Sequence, residues 1–249
     1  AEFLDQAAEA PYDLAGIDAG LAAALLKDQP AGQFLDQGAA NGLLEAYGIP
    51  TLEPLLAASP EEAVQAAQRL GFPVVIKVAS PDISHKSDVN GVLLGLENAQ
   101  AVREGFAAVT QNARRARSEA RIDGAHVQRM LPSGQDVIVG MVRDAQFGPM
   151  IMFGSGGVEV EGLKDVAFEL APLTPRQAES LLESTWAGRK LKGFRSLPPA
   201  DRLAVMQALA RLAQLALDCP QIAEIEINPL RVLPEGQGAF AIDVRAKKN

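Results

Sequence analysis

One cysteine in 249 residues, Cys219, excludes an internal disulfide and fits a reducing compartment. Histidine is nearly as scarce: His85 and His126 are the whole supply, and neither has a spacing that suggests zinc. No apolar run approaches the ~18 residues of a membrane span, and no charged-then-apolar leader opens the chain. Positive charge is short too. A net charge of −8 and a pI of about 4.9 give no overall attraction to a phosphate backbone, which argues against nucleic acid as a partner. No GxSxG elbow seats a hydrolase nucleophile. What remains is an ordinary globular stock, 48% hydrophobic and 22% charged, long enough for one large domain or two small ones. The expected setting is cytoplasmic.

Residues 1–30 read as an Ala-rich leader or linker with one short helical stretch, "IDAGLAAALLKD". A helix near 33–47 stops at "YGIP". "SPEEAVQAAQRLG" is a helix with Ser59 as cap, Pro60 in its first turn, Glu62 completing a capping box and Gly71 at its end. "PVVIKVA" and "GVLLGL" are strands joined by the loop "PDISHKSDVNG". A long helix spans roughly 98–118, and its basic end reads as a solvated face. Strands follow at "AHVQRML", "QDVIVGMVRD" and "GPMIMFGSGG", then helices at "TPRQAESLLEST" and "PADRLAVMQALARLAQLAL". The tail is two strands around a Pro/Gly turn. The pattern predicts an α+β protein, with one subdomain over 31–124 and a second over 125–249.

The tail carries the best geometric argument. A hairpin centred on Glu235–Gly236 sets Asn228 opposite Asp243 and Glu226 opposite Arg245. Period-2 alternation places Ile225, Ile227, Ile242 and Val244 on one apolar face and Glu226, Asn228, Asp243 and Arg245 on the other. An amide oxygen beside a carboxylate, with a second carboxylate adjacent, is a hard oxygen cluster of the kind Mg²⁺ prefers. The same four residues would equally make the wet side of an amphipathic hairpin. Lys77 interrupts an apolar strand, where it either reaches a phosphate or lets its stem run to the surface. "GSGG" at 154–157 is not followed by a helix start, which excludes a dinucleotide-binding turn and leaves an anion nest open. His126, inside a strand, reads as structural.

Several motifs in order carry a stronger signal: "YGIP", "GFPVVIKVASPDISHKSDVNGVLLGL", "QRMLPSGQDVIVGMVRDAQFGPMIMFGSGGVEVEGLKDVAFELAPLT", "LKGFRSLPPAD", and "EIEINPL" with a later "AIDVR". Over about residues 31–249 the chain resembles the ATP-grasp module of ADP-forming acyl-CoA synthetases, relatives of the succinyl-CoA synthetase β subunit. The resemblance implies an ATP-grasp fold, two α+β subdomains holding ATP or ADP between them. It also implies the reaction acyl-CoA + ADP + phosphate ⇌ acid + CoA + ATP, through an acyl phosphate and a phosphohistidine.

Carried over, Lys77 would contact nucleotide phosphates, and Gln128, Arg129, Met130 and Leu131 would be the hinge that meets adenine through its backbone. Asp136 takes the ribose position, Asn228 and Asp243 hold Mg²⁺, and Glu226 faces the phosphoryl group or its histidine carrier. His85 matches a histidine that receives and delivers phosphoryl, a role that suits a neutral imidazole. Three residues depart from the family pattern: Asn90 for glycine, Arg129 for an acidic residue, and Asp136 for glutamate. A CoA-binding partner, as an α-type subunit or a fused domain, is required to complete the reaction. The second reading is a nucleotide-sensing module without catalysis, as in fusions to a protein acetyltransferase. A third, an ATP-grasp carboxylate–amine ligase, is opposed by the "SHKSD" loop.

Overall fold

The computed structural model describes residues 9–83, 85–156 and 165–249. They divide into two units, Leu52–Pro132 and a larger one built from residues 1–51 and 133–249. The division expected at 124/125 therefore moves. The strand Gly124–Arg129, β4, belongs to the smaller unit because it pairs there with strands on both sides.

The smaller unit is an antiparallel sheet in the order β1-β4-β2-β3, with β1 at Leu55–Ala57, β2 at Val74–Ala79 and β3 at Val92–Leu96. Two amphipathic helices of this unit, α3 (Pro60–Leu70) and α4 (Ala99–Ala116), cover one face of the sheet. Val74, Ile76, Val78, Val127, Val102 and Val109 meet there in a core that, among the described residues, draws only on this unit. α3 starts as its sequence requires: the Ser59 hydroxyl accepts from the Glu62 N–H, and Pro60 spends no donor. The capping box is not closed as expected. Glu62 reaches one residue further back, accepting from the Ala58 N–H at 2.8 Å.

In the larger unit β10-β8-β5-β6-β7 form an antiparallel sheet, with β9 pairing β8. The strands are β5 (Gln135–Asp144), β6 (Gly148–Ser155), β7 (Val166–Leu170), β8 (Ile222–Val232), β9 (Ala239–Ala241) and β10 (Val244–Lys248). The Asp144 carboxylate accepts from the Gln146 and Phe147 N–H groups and turns β5 into β6. One face of the sheet buries Val137, Val139, Met141, Ile151, Phe153, Ile225, Ile227 and Leu230 in the larger core. α7 (Arg202–Asp218) lies against β5, β6 and β8. α5 (Pro175–Glu183) opens on a true capping box between Thr174 and Gln177, and α6 (Trp186–Lys190) follows it.

The N-terminal segment is more than a linker. α1 (Ala19–Lys27) packs on α2 (Gln37–Ala46), and Ala22 and Leu26 are buried in the larger core. The helix expected from residue 33 starts only at 37, capped by Asp36. Residues 32–35 instead run along β10, where Leu35 N–H donates to Ala246 at 2.8 Å and Phe34 bridges Lys247.

Candidate functional site

In the smaller unit the sheet face away from the core carries Lys77, which stands directly opposite His126 on β4. Both side chains are half-buried, and both are engaged by neighbours. The alternation that sends Ile76 and Val78 into the core sends Lys77 the other way. Gln128, on the same face, is buried and donates its amide N–H to the Leu52 carbonyl at 2.6 Å. Arg129 is exposed, and Met130 and Leu131 are half-buried on the way out of the unit. The Met130 N–H donates to the Pro73 carbonyl at 3.2 Å, so that backbone donor is already used.

His85 is exposed and precedes a 3₁₀ turn, Lys86–Val89. Ile83 before it and Val89 after it are buried in the smaller core, which pins the loop on both sides of the imidazole. Ser84 lies outside the described residues. The turn closes on Asn90, whose φ of 49° and ψ of 36° are left-handed. That conformation explains why glycine suits this position and why asparagine can replace it. The Asn90 carbonyl accepts from the Asn112 side chain at 3.1 Å. Gly91 has a different reason: a Cβ there would stand 2.6 Å from Val78.

In the larger unit the hairpin register is as expected. Glu226 faces Arg245, Ile227 faces Val244, and the Asn228 N–H donates to the Asp243 carbonyl at 3.1 Å. The face assignment of Ile242 is corrected. Ala241 and Val244 are buried, with Ile242 and Asp243 both half-buried between them. Across the pair, Ile227 and Leu230 are buried with Asn228 and Pro229 between. The physical reason is a bulge: on β5 only Ile138 separates the partners of Ile227 and Leu230, so β8 has one residue too many. Asn228 and Asp243 stand at that irregularity, both half-buried and both engaged by neighbours.

Asp136 lies one strand away and is not a bare carboxylate. Arg231, its register partner, donates to it twice, Nε–Oδ1 at 2.5 Å and Nη2–Oδ2 at 3.0 Å. The anion-nest reading of "GSGG" loses two of its donors. Ser155 N–H donates to the Asp165 carbonyl and Gly156 N–H to that of Asp136. Gly154 is required by close approach, since a Cβ would stand 2.1 Å from the Asp165 carbonyl. Gly157 and the residues to 164 lie outside the described residues.

Sequence reading missed Asp165, Arg231 and Phe34. Asp165 accepts from the Trp186 N–H, the Ala187 N–H and the Ser155 hydroxyl, each at 2.8 Å. Burial pushes its carboxyl up, but those donors and the nearby Arg189 outweigh it and hold the group below the usual carboxylate range. The signal for Asp165 lies 21 residues from the start of the helix it caps, beyond the reach of local patterning.

Among the described residues no group of three or more His, Cys, Asp or Glu forms a metal cage. Mg²⁺ takes one or two protein oxygens and completes its shell with phosphate and water. Asn228 and Asp243, whose side chains carry an amide oxygen and a carboxylate, could serve as such a pair, on backbones tied together by a hydrogen bond. No helix among the described residues is long and apolar enough to cross a membrane.

The family model described as the ATP-grasp domain matches residues 27–247. The chain is 43% identical over 206 residues to the acetate–CoA ligase (ADP-forming) I subunit beta of Pyrococcus furiosus, covering 83% of this chain and 88% of the relative. It is 45% identical over 199 residues to acetate–CoA ligase (ADP-forming) I of Archaeoglobus fulgidus, covering 79% of this chain and 29% of the relative. Among solved structures it is similar to the dinucleotide forming acetyl-coenzyme A synthetase 1 of Ca. Korarchaeum cryptofilum in complex with coenzyme A, Ca-AMPCP and HgCl+. There the TM-score is 0.82 at 39% identity, over 87% of this chain and 94% of that one. A second structure of that enzyme holds coenzyme A and Mg-AMPPCP with its phosphohistidine segment pointing towards the nucleotide binding site. Its TM-score is 0.74 at 36% identity, over 87% and 93% of the two chains.

Proposed function

The chain belongs to the ATP-grasp family, within the ADP-forming acyl-CoA synthetases, and from that premise we propose how its residues divide the work. It is the nucleotide-binding part of an acid–thiol ligase. The partner is a CoA-binding α-type subunit or fused region, and together they run acyl-CoA + ADP + phosphate ⇌ acid + CoA + ATP. A cytoplasmic setting suits the one buried thiol, Cys219. The nucleotide-sensing alternative is not favoured, because the relatives at 43% and 45% identity are ligases.

Lys77 neutralises nucleotide phosphates, and the Gln128–Leu131 stretch meets the base. Asp136, oriented by Arg231, meets the ribose. Asn228 and Asp243 hold Mg²⁺, which when bound neutralises charge on the phosphates. Glu226 faces the phosphoryl group and its carrier. His85, exposed at the start of its turn, carries phosphoryl on a ring nitrogen whose lone pair attacks phosphorus without prior loss of a proton. The observation that carries this reading is the hydrogen-bonded meeting of Asn228 and Asp243, two residues from Glu226.

Calorimetric titration of ADP into the chain over a range of Mg²⁺ concentrations tests the metal assignment. Asn228→Ala and Asp243→Ala are each expected to raise the Mg²⁺ requirement on the order of 10²-fold. An unchanged Mg²⁺ dependence defeats the assignment. In the complete synthetase, His85→Ala is expected to cut acyl-CoA-driven ATP formation at least about 10³-fold. Unimpaired turnover removes the carrier role.

A further inference from the structure

On the open face of the larger sheet, beside Glu226, lies a cavity of about 170 Å³. Met152 and Phe168 give it apolar walls, and its charged groups are Glu224, Glu226 and Arg245. Arg245 stands directly opposite Glu226 in the strand register. Among the described residues, however, no ion pair or hydrogen bond engages the side chain of Arg245 or of either glutamate. The guanidinium rests instead over the Phe34 ring, with Cζ 4.3 Å from the centroid. Phe34 is fixed there by the segment ahead of α2, which hydrogen-bonds along β10 at Gly32 and Leu35. Stacking leaves the in-plane N–H donors of an arginine available, in the fork that matches phosphate oxygens.

A half-buried guanidinium and carboxylate that do not neutralise each other call for a ligand that satisfies both. It must bring an anion to Arg245 and an N–H to Glu226. A phosphorylated imidazole has both, held a ring's width apart.

We propose that Arg245 is a further catalytic residue: it binds the phosphoryl group of the incoming phosphohistidine while Glu226 accepts the ring N–H, and Phe34 positions the guanidinium. This rests on the reading of Glu226 above. In the step itself an oxygen of the ADP β-phosphate supplies the electron pair of the new P–O bond. The N–P bond breaks and its pair stays on nitrogen. Because the far ring nitrogen already carries a proton, the carrier leaves as neutral imidazole, and the products are that imidazole and ATP. Arg245 meets the charge on the phosphoryl oxygens throughout, as an oxyanion donor does.

The test is run in the reverse direction on the complete synthetase, by following acid-labile label on histidine from γ-labelled ATP. Arg245→Ala is expected to slow labelling about 10²-fold, with MgATP affinity held within about twofold. Phe34→Ala is expected to slow it about tenfold, and Phe34→Tyr, which keeps the ring, to restore most of the rate. A wild-type rate in Arg245→Ala overturns the proposal, as does a parallel loss of MgATP affinity. Should that variant fail to fold, Arg245→Lys decides. A rate about tenfold slower supports the fork geometry, and an unchanged rate overturns it. Wild-type protein that binds no MgATP and takes no label defeats the proposed function, and this inference with it. Labelling that is normal in wild type and variant alike defeats only the role of Arg245.

Discussion

The smaller unit is one unbroken stretch, Leu52–Pro132, and its nine basic side chains balance nine acidic ones. The larger unit is assembled from both ends of the chain and carries the whole net charge of −8. Their open sheet faces follow the same division. The smaller presents Lys77 and His126, and the larger presents Glu224, Glu226 and Asp136. Chain-average charge therefore hides a neutral unit beside an acidic one. Under the proposed function, a lysine of the neutral unit meets phosphate while oxygens of the acidic unit meet a cation. Arg231 and Arg245 sharpen the point, since each places a guanidinium among carboxylates in the acidic half.

Because the two cores share no residue, substitution in one is expected to spare the other. Phe153→Ala, in the larger core, is expected to cost about 3–5 kcal/mol, and Ile76→Ala, in the smaller, about 2–5 kcal/mol. Native-state hydrogen exchange reads both. Protection lost in only the substituted unit upholds the division, and protection lost in both breaks it.

A smaller effect is expected at Asp165, which caps a helix of the larger unit. Asp165→Asn is expected to destabilise the larger unit by about 1 kcal/mol, as the loss of a capping carboxylate does. The pH dependence follows from the lowered value of its carboxyl. A depressed folded value means the stabilisation is fully present above the ordinary carboxylate value, about 3.9. It is lost as pH falls through the lower, folded one. Denaturant melts of wild type and Asp165→Asn should therefore differ at neutral pH and converge below about pH 4. A constant difference across that range contradicts the assignment.

An effect of similar size belongs to the His85 loop. Asn90→Ala is expected to cost about 1 kcal/mol, because alanine lacks asparagine's tolerance of a left-handed backbone. Asn90→Gly, restoring the usual family residue, is expected to leave ATP formation within about twofold. A large gain with glycine would show that asparagine impairs the loop.

The contiguous unit was the more legible one. α3, α4, β2, β3 and β4 stand within a few residues of the stretches that their caps and periodicities mark, because those signals act over three or four residues. In the larger unit the hairpin of β8 with β9 and β10 was legible for the same reason: one turn sets its register. The place of residues 9–51 was not, nor was β7, nor the carboxylate that caps α6 from 21 residues away. Ile242 was assigned to the wrong face because the bulge against β5 depends on a strand ninety residues earlier. The motif residues, by contrast, could be named in advance, since their order along the chain needs no geometry.

By itself, the sequence determined the α+β class, most of the local elements, the family and the residues worth suspecting, all from spacing and order along one chain. Only the tertiary structure decided that both chain ends build the acidic unit, that Asp136 is held by Arg231, and that Phe34 carries Arg245. Each of these is a meeting of side chains far apart in sequence. Packing and hydrogen bonding across a sheet create such meetings, and no local propensity encodes them.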